Sequence, residues 1–226
     1  MKYEFTGEEK TVANMTLKRI RSLVTIVGVV TSGDCGGWVE YDHNLDQDGD
    51  AWVYGDTEVF GNAMVYGNAK VYGNAMVYGD AKVYGNAMVY GDTEVFGNAM
   101  VYGNAMVFGN AKVFGNARVF GNAKVFGNAR VFGNAWVYGD AKVYVNARVY
   151  GNAKVFGNAM VSIAPVVITG LDYTLTVSDN MLAVGCQCWT FQEWRDKTPE
   201  EIIGMDGKKA TAFYPTLISL LDFLKK

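Results

Sequence analysis

The stretch Ala111-Lys-Val-Phe-Gly-Asn-Ala117-Arg-Val-Phe-Gly-Asn-Ala123-Lys-Val-Phe-Gly-Asn128 spells one hexad three times. Residues 51–158 spell it eighteen times without a gap, as Ala-x-Val-(Tyr/Phe)-Gly-(Asn/Asp). Val fills its slot in every copy, from Val53 to Val155. Thr57 and Thr93 replace Ala, and Val145 is the single non-Gly in the fifth slot. A fixed short period is the mark of a stacked-repeat architecture, and it outranks every other pattern in the chain.

Six is a multiple of two and does not match 3.6, so each hexad reads as a short strand and a corner. Charge decides which side faces in. The x slot holds Glu58, Lys70, Lys82, Arg118, Lys124 and Arg148, which are not buried unpaired. The x slot therefore points out, its Ala and Val neighbours point in, and Tyr/Phe points out again. The β-branched Val suits a stacked inner face. At the corner, Asn and Asp tolerate positive φ and satisfy nearby backbone groups. Because Val145 occupies a Gly slot, and a β-branched residue at positive φ is an outlier, the left-handed residue is expected in the sixth slot. Gly is then expected in the fifth to let neighbouring coils approach.

One hexad cannot bury its own Ala/Val face; stacking coils does so and pairs the backbone groups. Three hexads make an 18-residue triangular coil, so eighteen make about six coils, or about 29 Å at ~4.8 Å each. Met64, Lys70, Met76, Lys82 and Met88 alternate with period twelve, which also suits a two-sided coil. The triangular form is the expectation adopted.

Val at i and Ala at i+4 resemble the hexapeptide repeat of left-handed parallel β-helices. Leu17-Lys-Arg-Ile-Arg21, Ser32-Gly-Asp-Cys-Gly-Gly-Trp-Val-Glu40 and Asn44-Leu-Asp-Gln-Asp-Gly-Asp-Ala-Trp-Val53 resemble the N-terminal segment of YdcK-type hexapeptide proteins, described as transferases. Val184-Gly-Cys-Gln-Cys-Trp-Thr-Phe-Gln-Glu-Trp194 is similar to a C-terminal segment of phage and prophage hexapeptide proteins. The resemblance implies an all-β solenoid, a left-handed parallel β-helix, in a mobile-element setting. It implies no particular activity, since a transferase label rests on fold analogy.

A solenoid has two open edges that would template end-to-end growth, so both termini are expected to be caps. Residues 1–50 are read as an N-terminal β cap with strands at 3–5 and 23–30, residues 51–162 as the β-helix, and residues 163–226 as an α+β cap. In the last, residues 166–176 and 181–186 read as strands around the turn Ser178-Asp-Asn180. Thr190-Phe-Gln-Glu193 has the form of a capping box, and Thr198-Pro199-Glu-Glu201 is a second helix start. Leu217, Ile218, Leu220, Leu221 and Leu224 are spaced as one apolar helix face, expected to cover the last coil; a partner surface is the alternative. Three Cys (35, 186, 188) form no disulfide framework and point to reduced thiols and a cytoplasmic protein. No signal-peptide pattern opens the chain, and no apolar run reaches the ~20 residues a membrane span needs.

The chemistry the chain lacks is as informative. Hexapeptide acyltransferases use a His as general base, yet the chain's one His, His43, lies outside the repeat. One His also fails a zinc-dependent anhydrase. Asn44-x-Asp46-x-Asp48-Gly49 begins like a calcium loop, but position twelve is Gly55 where a bidentate Glu is needed; an acidic turn is expected. Cys186-x-Cys188 has no second ligand pair. No cofactor, metal or catalytic residue is expected, and an acyltransferase-like enzyme is the runner-up to a non-enzymatic binding protein. The outward x slots hold no regular Thr ladder, which argues against ice binding.

Two excesses carry the binding expectation. Ten Tyr and eight Phe follow Val and stack into ladders, one of them Phe60, Tyr78, Phe96, Phe114, Phe132 and Tyr150. They either stabilise neighbouring coils by ring stacking or offer an apolar surface for self-association or a host or phage protein. Phe108, Phe114, Phe120, Phe126 and Phe132 are the concentrated part. Residues 52–106 carry a net charge of −3 and residues 107–162 a net +6. Lys112, Arg118, Lys124, Arg130 and Arg148 are therefore candidates for an anionic small molecule or a polyanion such as nucleic acid, although they spread over three faces.

Overall fold

A computed structural model describes residues 1–224. Each hexad forms a strand of two to four residues centred on x-Val, and successive strands fall on three different sheets. Pairing is parallel at a step of eighteen. Glu94 lies between Met76 and Lys112, Met100 between Lys82 and Arg118, and Met106 between Met88 and Lys124. The coil is thus triangular. The period-twelve alternation of Met and Lys is distributed over three faces and does not mark a two-sided coil.

The parity follows the charge argument. Ala and Val of the repeat are fully buried from Ala51 to Ala153, and Thr57 and Thr93 stand in for Ala without exposure. Thr93 meets the cost of its hydroxyl by donating to the Tyr90 carbonyl at 2.7 Å. The solenoid has about seven coils, not six. The additional coil comes from the N-terminal segment, where Trp38-Val39 pairs in parallel with Glu58-Val59 and Leu45 bridges Val65. That step is twenty residues, with the 3-10 turn Asp42–Asn44 at a corner, so the coil has the geometry of the repeat without its spelling.

The corner expectation is corrected. The left-handed residue is in the fifth slot: its glycines have φ between +58° and +83°, and Val145 adopts +59°. No Asn or Asp of the sixth slot has positive φ. Gly meets two demands at once here. A Cβ at Gly91 would sit 2.7 Å from the Gly109 carbonyl oxygen, in the next coil. At Val145 only the first demand survives. Its counterpart eighteen residues on is Ile163, past the last solenoid strand at Met160–Val161, and the Val145 side chain is 52% exposed. Val145 carries the conformational strain without the clash, and for that reason misdirects a reading based on residue type.

The two ends of the solenoid are chemically different. The N–H groups of the x, aromatic and Asn slots donate forward, as in Arg118 to Ala135, Phe120 to Val137 and Asn122 to Gly139, each at 2.9–3.0 Å. The first coils are therefore left with carbonyls and the last with N–H groups. Donors close the first end. The buried Lys2 ammonium reaches the Ala51 carbonyl at 2.8 Å, and Asn44 Nδ2 donates to Gly61 and Ala63. Acceptors close the other: Met160 N–H donates to Asn180 Oδ1 and Ser162 N–H to Asp179 Oδ2, both at 2.7 Å.

The N-terminal cap is an antiparallel hairpin, Tyr3–Val12 with Met15–Ser22, which lengthens the first expected strand. The second, at 23–30, is not a strand; those residues turn, with one bridge between Ile26 and Val30. Tyr3 packs edge-on to Trp52, so that this x-slot residue is fully buried. The free edge of the hairpin, with Glu8, Glu9 and Lys10 beside a register shift, is charged and irregular, which opposes sheet extension.

The C-terminal cap is a four-stranded antiparallel sheet of Val166–Ile168, Leu175–Val177, Met181–Val184 and Gln187–Thr190. Met181 joins the solenoid core, while Leu175, Leu182 and Val184 face the other way. Helix α1 (Phe191–Arg195) begins with the expected capping box, and helix α2 (Pro199–Phe223) begins at the expected start, where Thr198 and Glu201 form a second box. Glu193 and Glu201 lie below the usual carboxylate range because they accept the N–H of Thr190 and Thr198. The apolar face of α2 does not cover the last coil. Ile202, Phe213, Leu217 and Leu221 pack on the outer face of the sheet, which itself covers the solenoid. A sheet needs both faces covered when both are apolar, and this one is. Lys225 and Lys226 of the expected amphipathic segment lie outside the described residues.

Val145→Gly is expected to raise stability in urea unfolding by about 1 kcal/mol, the net of released strain and added unfolded-state entropy. Gly91→Ala, which meets both demands, is expected to lower it by roughly 3 kcal/mol.

Candidate functional site: a basic ladder beside an asparagine ladder

The in-register coils turn each hexad slot into a column. The x column of the first face reads Glu58, Met76, Glu94, Lys112, Arg130, Arg148. Its upper acids are neutralised: Glu58 pairs with Lys10 at 2.7 Å, and Glu94 with Lys112. Below them Lys112, Arg130 and Arg148 lie directly opposite one another. Like charges so placed are destabilising. Among the described residues neither Arg130 nor Arg148 has an ion-pair partner.

Beside this column runs a second one, from the sixth slot. Asn110 Nδ2 donates to Asn128 Oδ1, and Asn128 Nδ2 to Asn146 Oδ1, each at 3.2 Å. Asn is suited to this because its side chain carries both a donor and an acceptor. Asp is not, and Asp80, Asp92 and Asp140 each end a chain of such bonds as an acceptor from Asn62, Asn74 and Asn122. At the foot of the column Asn146 Nδ2 makes no further bond among the described residues. The two columns line a groove of about 460 Å³ formed by Asn110, Lys112, Asn128, Arg130, Asn146 and Arg148.

The other predicted cations stand elsewhere. Arg118 is on the second face, its guanidinium 5.1 Å from the Trp136 ring, with Lys154 on the same ring at 5.4 Å; cation–π contact satisfies this cluster internally. Lys124 lies opposite Lys142 on the third face. The expected Phe cluster is divided in the same way: Phe114 and Phe132 on the first face, Phe120 on the second, Phe108 and Phe126 on the third. The structure brings together Lys112, Arg130 and Arg148, and separates the rest.

The aromatic ladders are stacked. Phe96–Phe114, Phe114–Phe132 and Phe108–Phe126 have centroids 4.9 Å apart and planes within 3°. The rings are half-buried by one another. Only Tyr150, at the foot of its ladder, is half exposed, at 51%. Burial raises the Tyr66, Tyr72, Tyr90, Tyr102 and Tyr138 hydroxyls, and Tyr78 to about 12, where Glu94 adds its charge.

Sequence reasoning missed Asn110, Asn128 and Asn146 as site residues, although the invariant Asn/Asp slot was the available signal. It also missed Lys2 and Asn44 as caps, because neither belongs to a repeat. His43 stacks on Tyr41 and touches the Gly61 carbonyl at 3.1 Å. In the calcium-like segment Asn44 is turned inward and fully buried, and among the described residues no group of three or more His, Cys, Asp or Glu side chains is placed to hold a metal. No helix among them is long and apolar enough to cross a membrane. Cys35 and Cys186 are exposed free thiols. Cys188 donates to the Phe156 carbonyl, and burial pushes its thiol up to about 11.

Asn116→Ala, which removes both rungs of the amide ladder Asn98–Asn116–Asn134, is expected to cost about 1–2 kcal/mol in chemical unfolding. Iodoacetamide at pH 8 is expected to alkylate Cys35 and Cys186 in the native protein, with Cys188 at least ~tenfold slower by peptide mass spectrometry, since the thiolate is the reactive form.

The sequence profile of the YdcK β-solenoid repeat matches this chain at residues 69–83, 81–93 and 123–139. No curated protein matches it. The matched segments all lie inside the coils, so what the chain shares with that family is its repeat: it is a YdcK-like β-solenoid.

Proposed function

We propose that this solenoid is a non-enzymatic binding protein that takes an extended anionic ligand along the first face, parallel to the solenoid axis. The observation that supports the reading is the column Lys112–Arg130–Arg148 beside Asn amides, in which Arg130 and Arg148 lie in register without an ion-pair partner among the described residues. A ligand whose negative charges recur at about the coil spacing relieves the repulsion between like charges at each rung. Arg130 and Arg148 offer bidentate donors to phosphate, sulfate or carboxylate, and the free Nδ2 of Asn146 adds a neutral donor. The rigid backbone presents the charges with no backbone ordering cost at binding. The aromatic columns serve here as the stiffening of the wall. Neither this reading nor the family match depends on the phage or prophage setting that the tail resembles.

Fluorescence anisotropy with end-labelled polyphosphate, over a salt series, tests the proposal. Log K is expected to fall with log salt at a slope of about −2 to −3, as for two or three ionic contacts. Arg130→Glu with Arg148→Glu is expected to weaken binding by at least ~tenfold, while Lys124→Glu with Lys142→Glu on the third face changes it less than ~threefold. Equal losses in the two double variants, or none in either, would overturn the assignment to this face.

A further inference from the structure

The C-terminal cap holds a second site, independent of the basic groove. Between the outer face of its sheet and helix α2 lies a cavity of about 260 Å³. Its interior is formed by Val184, Trp194, Ile202, Met205, Phe213 and Leu217. Two polar groups on its walls are already satisfied: Trp194 Nε1 donates to the Leu182 carbonyl at 2.7 Å, and Tyr214 Oη donates to the Trp194 carbonyl at 2.6 Å. The side chains named for the interior are otherwise apolar, a surface that favours an apolar ligand over water.

The mouth is built differently. Helix α2 breaks there, at Asp206 (φ −156°) and Gly207 (φ +57°). The break swings the Asp206 carboxylate to the rim, where Oδ2 accepts from Tyr173 Oη at 2.7 Å. Tyr173 is itself seated edge-on against Phe213 at 5.1 Å, with the Lys209 ammonium 4.7 Å from its ring. Asp206 Oδ1 makes no hydrogen bond among the described residues. The cavity therefore pairs a mostly apolar lining with a few polar groups, the Asp206 carboxylate and the Gln187 amide among them, the usual composition of a small-molecule site.

Size selects the ligand class. A dry engineered cavity of ~150 Å³ takes a single benzene ring; this one has room for two fused rings. We infer that the C-terminal cap binds a neutral bicyclic aromatic molecule with one hydrogen-bond donor, its rings between Trp194 and Phe213 and its donor on Asp206 Oδ1.

Indole and 1-methylindole are the probes, observed by saturation-transfer NMR on the full chain. Saturable transfer to indole is expected, with 1-methylindole at least ~threefold weaker because it lacks the donor. Ala210→Phe, which places a ring inside the cavity, is expected to keep or raise the thermal midpoint and to reduce indole binding at least ~tenfold. Should that variant fail to fold, Cys186→Phe at the exposed rim replaces it, with the same expected loss. Absence of saturable transfer to the wild type overturns the inference, as does unchanged indole binding in a folded variant. Equal affinity for the two probes overturns the contact with Asp206.

Discussion

Everything in this molecule depends on the in-register backbone ladder between coils eighteen residues apart. Once residue i lies over residue i+18, each slot of the hexad becomes a column with one chemistry. Ala and Val columns close a dry core, aromatic columns stack at 4.9 Å, and Asn columns bond amide to amide. The same register makes any departure from the repeat consequential. An Asp in the Asn column accepts and cannot pass the chain of bonds on. A basic residue beside another in the same column adds repulsion, because the register holds their backbones one coil apart. The basic ladder follows directly from the ladder that builds the fold.

The ladder is also polar, and the caps answer that polarity. Outward-facing slots donate forward, so the first end presents carbonyls and the last presents N–H groups. Lys2, Asn44 and the backbone of the first coil supply donors at one end, and Asp179 and Asn180 supply acceptors at the other. This is the logic of helix capping applied to a solenoid. It explains why an ammonium is buried at position 2, where charge burial would otherwise be costly. Its desolvation lowers the Lys2 pKa, opposed by Asp46, Asp50 and Asp48.

The two candidate sites stand in different relations to this frame. The basic groove lies on the wall and uses the periodicity: its cations are spaced by the coil. The apolar cavity lies in the C-terminal cap and uses a break in regular structure, the Asp206–Gly207 interruption of α2 that moves a carboxylate to a rim. One site is suited to an extended charged ligand and the other to a compact apolar one, and they share no residue.

Strand parity, the buried Ala/Val columns, the aromatic stacks and both helix starts were legible in the sequence, because each follows from local chemistry repeated at a fixed period. Val145 shows where that reasoning stops. A residue's tolerance for positive φ depends on what occupies the space beside it, and that space is defined by the coil next to it. The seventh coil was hidden for a related reason: residues 35–50 take the shape of the repeat through backbone pairing and a 3-10 corner, without its residues. The destination of the α2 apolar face and the division of the Phe and Lys/Arg residues among three faces were likewise tertiary outcomes. The hexad by itself determined that this chain is a stacked β-solenoid with Ala and Val inside. Only the closed coil decided which cations share a column, because side chains far apart in sequence become neighbours through a register that no single hexad contains.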